Sequence, residues 1–151
     1  MLTRRNSLGL LAALPAAAAL SPRAALAAEA EVFLNPFAIN AIDPIGYFEQ
    51  EKPIAGSASH ALNWKGAEWH FSSQDTAAKF ASDPEAYAPA FGGYCAFAAS
   101  RGYLAPTIPE AWTIYEGKLY LNASLRAQEL WRQDIPGNIA AGLNNWPGIL
   151  G

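Results

Sequence analysis

The sequence contains a single cysteine, Cys95, and no methionine after Met1. One cysteine cannot form an intramolecular disulfide bond, and few sulfur ligands are available for a soft metal ion. Two histidines, His60 and His70, are the only sources of imidazole nitrogen. The fold must therefore be stabilised by burial of apolar side chains, and five tryptophans, six tyrosines and seven phenylalanines supply that surface.

Basic residues are scarce beyond the N-terminus. After Arg23 the chain carries seven lysines and arginines against thirteen aspartates and glutamates, which gives a net charge of −6. Nucleic acids and anionic membranes are recognised by clustered positive charge, and this acidic stretch contains no such cluster. We therefore expect neither of them as a partner.

The N-terminus has the layout of a signal peptide. The pair Arg4-Arg5 precedes an apolar run at residues 8–20, and the small-residue pattern Ala-Leu-Ala follows at residues 25–27. Two adjacent arginines are typical of the twin-arginine export route. The run is shorter than the roughly 20 apolar residues of a membrane span, which favours a cleaved signal peptide. A retained membrane anchor is the alternative interpretation. We predict cleavage near Ala27, a periplasmic location, and one mature domain over residues 28–151.

Two segments of that domain predict β-hairpins. Residues 62–64 and 68–71 flank a glycine-containing turn, as do residues 112–115 and 118–121, and both pairs are rich in aromatic residues. A potential helix cap follows each hairpin: Ser72, with Asp75 three residues later, and the segment 122–124. Further short helices are expected near residues 44–48, 83–87, 95–99 and 139–143. The pattern predicts a small single α+β domain around an aromatic core.

Several motifs in this order resemble the YHS domain, and in particular the exported bacterial proteins that carry it. They are Asp-Pro-Ile-Gly-Tyr-Phe at 43–48, Trp-His-Phe-Ser-Ser at 69–73, Asp-Pro-Glu-Ala-Tyr at 83–87, Gly-Gly-Tyr-Cys-Ala at 92–96, Trp-x-Ile-x-x-Gly-Lys-Leu-Tyr-Leu-Asn at 112–122 and Trp-Pro at 146–147. The resemblance covers nearly all of residues 38–147. The mature chain, residues 28–151, is then a YHS-like domain with a C-terminal extension.

The resemblance implies a small module that binds metal through cysteines. YHS domains occur beside copper-transporting ATPases, and their cysteines lie in an Asp-Pro-Val-Cys-Gly-Met and a Phe-Cys-Ser segment. Gly46 and Ser72 stand at the matching positions of this chain, so both thiols are absent. Any metal site would need other ligands.

The remaining candidate ligands are Cys95 and His60. Cys95 follows Gly92-Gly93 at the start of a predicted helix, where the helix dipole favours a thiolate. His60 lies in a predicted loop and is free to turn inward, whereas strand alternation with Trp69 places His70 at the surface. We therefore predict that Cys95 and His60 hold a transition metal such as copper. Alternatively, Cys95 is a core residue or forms an intermolecular disulfide, and His60 is a solvated loop residue. Asp43 is most simply a helix cap.

No arrangement of residues indicates an enzyme. The chain lacks a serine elbow, a phosphate-cradling loop and a zinc-protease helix, and a Cys-His pair would need a third, orienting group. The sequence thus favours a periplasmic metal-binding module. A domain that binds a partner protein or a small ligand without metal is the second hypothesis, and a thiol redox protein is the third. The sequence leaves the oligomeric state open.

Overall fold

Two β-hairpins, each followed by a serine-capped helix, organise the fold in the computed structural model, which describes residues 27–151. The predicted signal peptide, apart from Ala27, lies outside the described residues. The helices are α1 (Pro44–Glu49), α2 (Gln74–Ser82), α3 (Pro84–Tyr87), α4 (Ala96–Ser100), α5 (Leu125–Arg132) and α6 (Ile135–Asn145). Three antiparallel pairs are formed by β1 (Ile42–Asp43) with β2 (Ile54–Ala55), β3 (Ser57–Trp64) with β4 (Ala67–Phe71), and β5 (Trp112–Tyr115) with β6 (Lys118–Leu121). The predicted α+β class is confirmed.

Both predicted hairpins form around the same kind of turn. The central residues have positive φ in each: Lys65 (49°) and Gly66 (72°), then Glu116 (49°) and Gly117 (78°). Positive φ at both positions matches the twist of the flanking strands, and a glycine at the second position lowers the cost. Strand β3 begins earlier than the sequence suggested, at Ser57, with an irregular register between Ser57 and Ala61.

The helices that follow the hairpins begin at serine caps. Ser73, not Ser72, caps α2. The Ser73 hydroxyl accepts a hydrogen bond from the Thr76 N–H, and the Thr76 hydroxyl accepts one from the Ser73 N–H. The predicted capping box is thus displaced by one residue. Ser124 caps α5 by accepting from the Ala127 N–H at 3.0 Å.

The start of each C-terminal helix is defined by its cap. Leu125, the first residue of α5, lies beside the Ser124 cap and is 60% exposed. The last helix, α6, starts at Ile135 rather than near residue 139. Its cap is Asp134, which accepts a hydrogen bond from the Gly137 N–H at 3.1 Å.

The core consists of two aromatic clusters. The larger one surrounds β4 and α2, where Trp69, Phe71 and Phe80 are at most 1% exposed. The smaller one joins β6 to the C-terminal helices through Tyr120 and Trp131, whose rings lie 4.9 Å apart. The first hairpin packs into the larger cluster, whereas the second contributes to both, with Leu119 and Leu121 in the larger and Tyr120 in the smaller. Residues 88–91 lead from one cluster to the other, with Ala88 in the larger and Phe91 in the smaller. Within residues 27–151 no helix is long and apolar enough to span a membrane.

Candidate functional site

Cys95 is the cap of helix α4, as predicted, but its sulfur is buried. The Sγ accepts a hydrogen bond from the Ala98 N–H at 3.4 Å, and the residue is 2% exposed. The thiol also donates to Oδ1 of Asn122, at 3.4 Å. The same Oδ1 accepts from the Phe97 N–H at 3.0 Å. The sulfur thus connects the start of α4 to the end of β6, away from solvent.

The structure does not join Cys95 and His60 in a site. Among the described residues, the hydrogen-bond partners of the sulfur are Asn122 and a backbone N–H, with no imidazole. His60 lies on β3, half-buried, in the strand rather than in the predicted loop. Within residues 27–151 no three side chains of the His, Cys, Asp and Glu types are grouped so that they could hold a metal ion. An amide oxygen and a backbone N–H are the hydrogen-bond partners of this sulfur, and a metal held by Cys95 and His60 stays a prediction.

The prediction that His70 lies at the surface is wrong. His70 is 4% exposed, its Nε2 lies 2.7 Å from Glu68 Oε2, and its ring packs on Phe37 at 4.1 Å between centroids. Strand alternation failed because β4 is covered on both faces. The chain that leads into β1 covers the second face, where the Ala38 N–H donates to the Glu68 carbonyl.

Asp43 is a helix cap, as predicted, and it also connects distant segments. Its Oδ1 accepts from the Ile45 N–H at 2.9 Å in the first turn of α1. Its Oδ2 accepts from the N–H and hydroxyl of Ser72 and from the hydroxyl of Thr76, at 2.7 to 2.9 Å. The carboxylate is fully buried. This set of bonds fastens α1 to the start of α2 and is structural.

A cleft between the tips of the two hairpins is the best candidate for a functional site. Its volume is about 210 Å³. Trp64 and Trp69 from the first hairpin form one side, and Phe91 and Trp146 from the second cluster form the other. Residues 88–92 also line this space. We call this space the inter-hairpin cleft.

Gly92 shapes one edge of the inter-hairpin cleft. It has φ of +63°, and a Cβ at this position would lie 1.8 Å from the carbonyl oxygen of Glu31. The Phe33 N–H donates to the Gly92 carbonyl at 2.9 Å, which holds the N-terminal segment against this loop. Only glycine permits so close an approach, so the edge of the cleft depends on this residue.

Four charged side chains line the inter-hairpin cleft: Glu31, Lys65, Glu85 and Lys118. Lys65 is fully partnered, with its Nζ 3.4 Å from Glu31 Oε1, 3.2 Å from Glu85 Oε1 and 4.7 Å from the centre of the Trp64 ring. Desolvation opposes its charge, but the two glutamates outweigh that effect and raise the pKa of Lys65.

Lys118 has different surroundings. Its Nζ donates to the backbone carbonyl of Glu85 at 3.1 Å. Burial lowers the pKa of Lys118; the Glu85 carboxylate partly opposes this shift, and the Lys65 ammonium adds to it. A lysine in an aromatic cleft with a lowered pKa is a candidate for ligand binding, because such perturbations concentrate at functional sites.

The sequence did not reveal this cleft. Each hairpin contributes one lysine near its turn, Lys65 and Lys118, and only the folded arrangement of the hairpins brings the two together. The usable signal was the repetition of an aromatic strand, a glycine turn and a lysine. It predicted the hairpins but not their relative position.

Two wider hollows are more open to solvent. One, of about 500 Å³, is lined mainly by apolar residues such as Phe33, Tyr94 and Leu104. The other, of about 410 Å³, lies beside Tyr47, Trp112 and Arg132. The inter-hairpin cleft is smaller, but it alone of the three combines aromatic walls from both clusters with two lysines. Enclosure and convergent polar groups identify binding sites better than volume does.

Comparison with known proteins gives no independent assignment. The chain matches no protein-family model, no curated protein and no solved structure.

Proposed function

We propose that this chain is an exported binding protein for a small organic ligand, which occupies the inter-hairpin cleft. The observation that carries the proposal is the joining of four aromatic side chains from two separate clusters around charged groups. Aromatic walls with a few placed polar groups are typical of ligand sites. The volume of about 210 Å³ lies below the roughly 300–1,000 Å³ of drug-sized sites and suits a small molecule.

The position of Cys95 favours this function over the metal and redox hypotheses. Its sulfur is buried and occupied by two hydrogen bonds that build the fold. Reactive thiols need exposure and electropositive surroundings. A copper site at Cys95 would require the cap of α4 to open.

A protein partner is the less favoured form of the same hypothesis. The large apolar side chains exposed in the described part of the chain are Leu34, Tyr103, Leu125 and Leu143. They lie apart in the chain: before β1, in the loop after α4, on α5 and on α6. Single exposed apolar residues are normal on a soluble surface. Only Leu143 borders the inter-hairpin cleft.

A nuclear magnetic resonance titration tests the proposal with three probes on one ring: phenylacetamide, phenylacetate and phenethylamine. We expect at least one to bind saturably, with Kd of about 1 mM or lower, and to shift the indole N–H signals of Trp64 and Trp146. Ala90→Phe should abolish binding because Ala90 lines the cleft. The matched control Ala78→Phe changes an exposed alanine of α2 and should bind normally. Absence of binding by all three probes, or unchanged binding by Ala90→Phe, would refute the proposal.

The export part of the proposal has its own test. Replacing Arg4 and Arg5 by lysine should keep the protein out of the periplasm, because the twin-arginine route reads the arginine pair. Cell fractionation measures the outcome. Unchanged periplasmic protein would show that export uses another route.

A further inference from the structure

The two lysines of the inter-hairpin cleft differ in what neutralises them. Lys65 lies within 4 Å of two carboxylates, whereas among residues 27–151 no carboxylate lies that close to the Lys118 Nζ. The hydrogen-bond partner of Lys118 is a neutral carbonyl oxygen. An ammonium group has three N–H donors. Lys118 therefore keeps donors for a partner outside the chain.

This arrangement is unfavourable for folding alone. A half-buried cation that bonds only to a neutral group loses hydration, and the Glu85 carboxylate offsets that loss only in part. The chain is acidic, and Glu85 provides its carbonyl to Lys118 while its carboxylate pairs with Lys65. Among residues 27–151 no carboxylate lies within 4 Å of the Lys118 Nζ, and this is the feature that calls for an explanation.

We propose that the ligand of the inter-hairpin cleft is a small carboxylic acid with a flat apolar body, whose carboxylate bonds to Lys118. The inference rests on the proposed function and names the chemical class of its ligand. The apolar body would lie between Trp64 on one side and Phe91 and Trp146 on the other, the walls of the cleft. Aromatic surfaces favour flat partners by stacking.

The charge of the cleft selects a singly charged acid. Glu31, Glu85, Lys65 and Lys118 together sum to zero when all four are ionised. A carboxylate brings this sum to −1, whereas a phosphate monoester brings it close to −2 beside two glutamates. Like charges at short range disfavour the second case. We therefore expect phenyl phosphate to bind more weakly than phenylacetate.

The pH dependence follows from the same groups. Because the pKa of Lys118 is lowered, the ammonium loses its proton at a lower pH than an ordinary lysine, for which the value is 10.5. Affinity for phenylacetate should fall as the pH rises through that lowered pKa. Lys65, whose pKa is raised, keeps its charge in this range.

Isothermal titration of the mature protein with the three ring probes tests the inference. Phenylacetate should bind about 10- to 100-fold more tightly than phenylacetamide, the usual effect of a hydrogen bond between charged groups. Phenethylamine should bind most weakly. Lys118→Met should remove the preference for the acid while the amide still binds, and Lys118→Arg should retain it.

The control and the contrary results separate this inference from the proposed function. Lys52→Met removes an exposed lysine outside the cleft and should leave every affinity unchanged. Equal binding of the acid and the amide, or a preference for the acid that survives Lys118→Met, would overturn the carboxylate assignment and leave the binding function standing. Absence of binding by all probes would overturn both.

Discussion

In both hairpins, the residue that follows the last strand hydrogen-bonds to the cap of an earlier helix, although the residues involved differ. Directly after β4, Ser72 bonds to Asp43, the cap of α1, which lies 29 residues earlier. One position after β6, Asn122 bonds to Cys95, the cap of α4, which lies 27 residues earlier. In both units a short capped helix, a hairpin and a serine-capped helix follow in the same order. Cys95 therefore occupies the structural position that Asp43 occupies in the first unit.

This comparison explains why a solitary, well-placed thiol need not be functional. Asp43 and Cys95 both satisfy the free N–H groups at the start of a helix and connect it to the end of a hairpin. The ligand site that we propose lies elsewhere, where the two units meet. There each hairpin contributes a lysine, and only Lys65 has carboxylate partners within 4 Å among the described residues.

The largest expected effect breaks the first unit. Asp43→Ala removes a buried acceptor of four hydrogen bonds and leaves the N–H groups of Ile45 and Ser72 and the hydroxyls of Ser72 and Thr76 without it. We expect a loss of about 3–4 kcal/mol in the free energy of unfolding, measured by urea denaturation. Asp83→Ala is the control because that exposed cap makes no side-chain hydrogen bond to its helix. A loss below about 1 kcal/mol for Asp43→Ala would contradict the role given to the carboxylate.

A smaller effect is expected in the second unit. Cys95→Ala should lower the free energy of unfolding by about 1–2 kcal/mol, whereas Cys95→Ser keeps a donor and an acceptor and should lose less. Cys95→Ala and Asn122→Ala should be non-additive by about 0.5–1.5 kcal/mol in a double-mutant cycle.

Titration with copper(I) tests the competing prediction that Cys95 is a metal ligand. Tight binding that disappears in Cys95→Ser would restore the metal prediction and contradict a purely structural thiol.

The smallest effect concerns the lysine at the junction. Lys118→Met should raise the free energy of unfolding at neutral pH by less than about 1 kcal/mol, because solvent screens a half-exposed charge. With a lowered folded-state pKa, the unfolded wild type binds more protons between that pKa and 10.5, so its stability rises with pH there. The variant lacks this rise, and its advantage should shrink as the pH approaches 10.5. Urea denaturation of both proteins at several pH values measures this difference in the free energy of unfolding. A variant that is less stable than the wild type at neutral pH would assign Lys118 a structural role.

Local patterns in the sequence predicted much of the fold. The glycine turns at Gly66 and Gly117, the cap at Asp43 and the buried ring of Trp69 are set by neighbouring residues, and all four are confirmed. His70 was misplaced because a segment more than thirty residues earlier covers the second face of its strand. Whether a strand has one or two covered faces depends on tertiary packing and not on its own alternation.

The site was harder to predict than the fold. Cys95 is a rare residue close to two glycines, yet its surroundings depend on Asn122, and no sequence pattern places Asn122 beside it. The inter-hairpin cleft joins Lys65 to Lys118 and Trp64 to Trp146 across long separations. No spacing rule connects such residues. The resemblance to the YHS domain predicted metal ligands, and it stays a prediction.

The most direct test compares two variants in one experiment. Phenylacetate is titrated into the wild type, Cys95→Ser and Ala90→Phe, and the heat of binding is measured. The account predicts that Cys95→Ser binds like the wild type and that Ala90→Phe does not bind, because the ligand site is the cleft and the thiol is a helix cap. Loss of binding in a folded Cys95→Ser variant, with binding retained by Ala90→Phe, would contradict it.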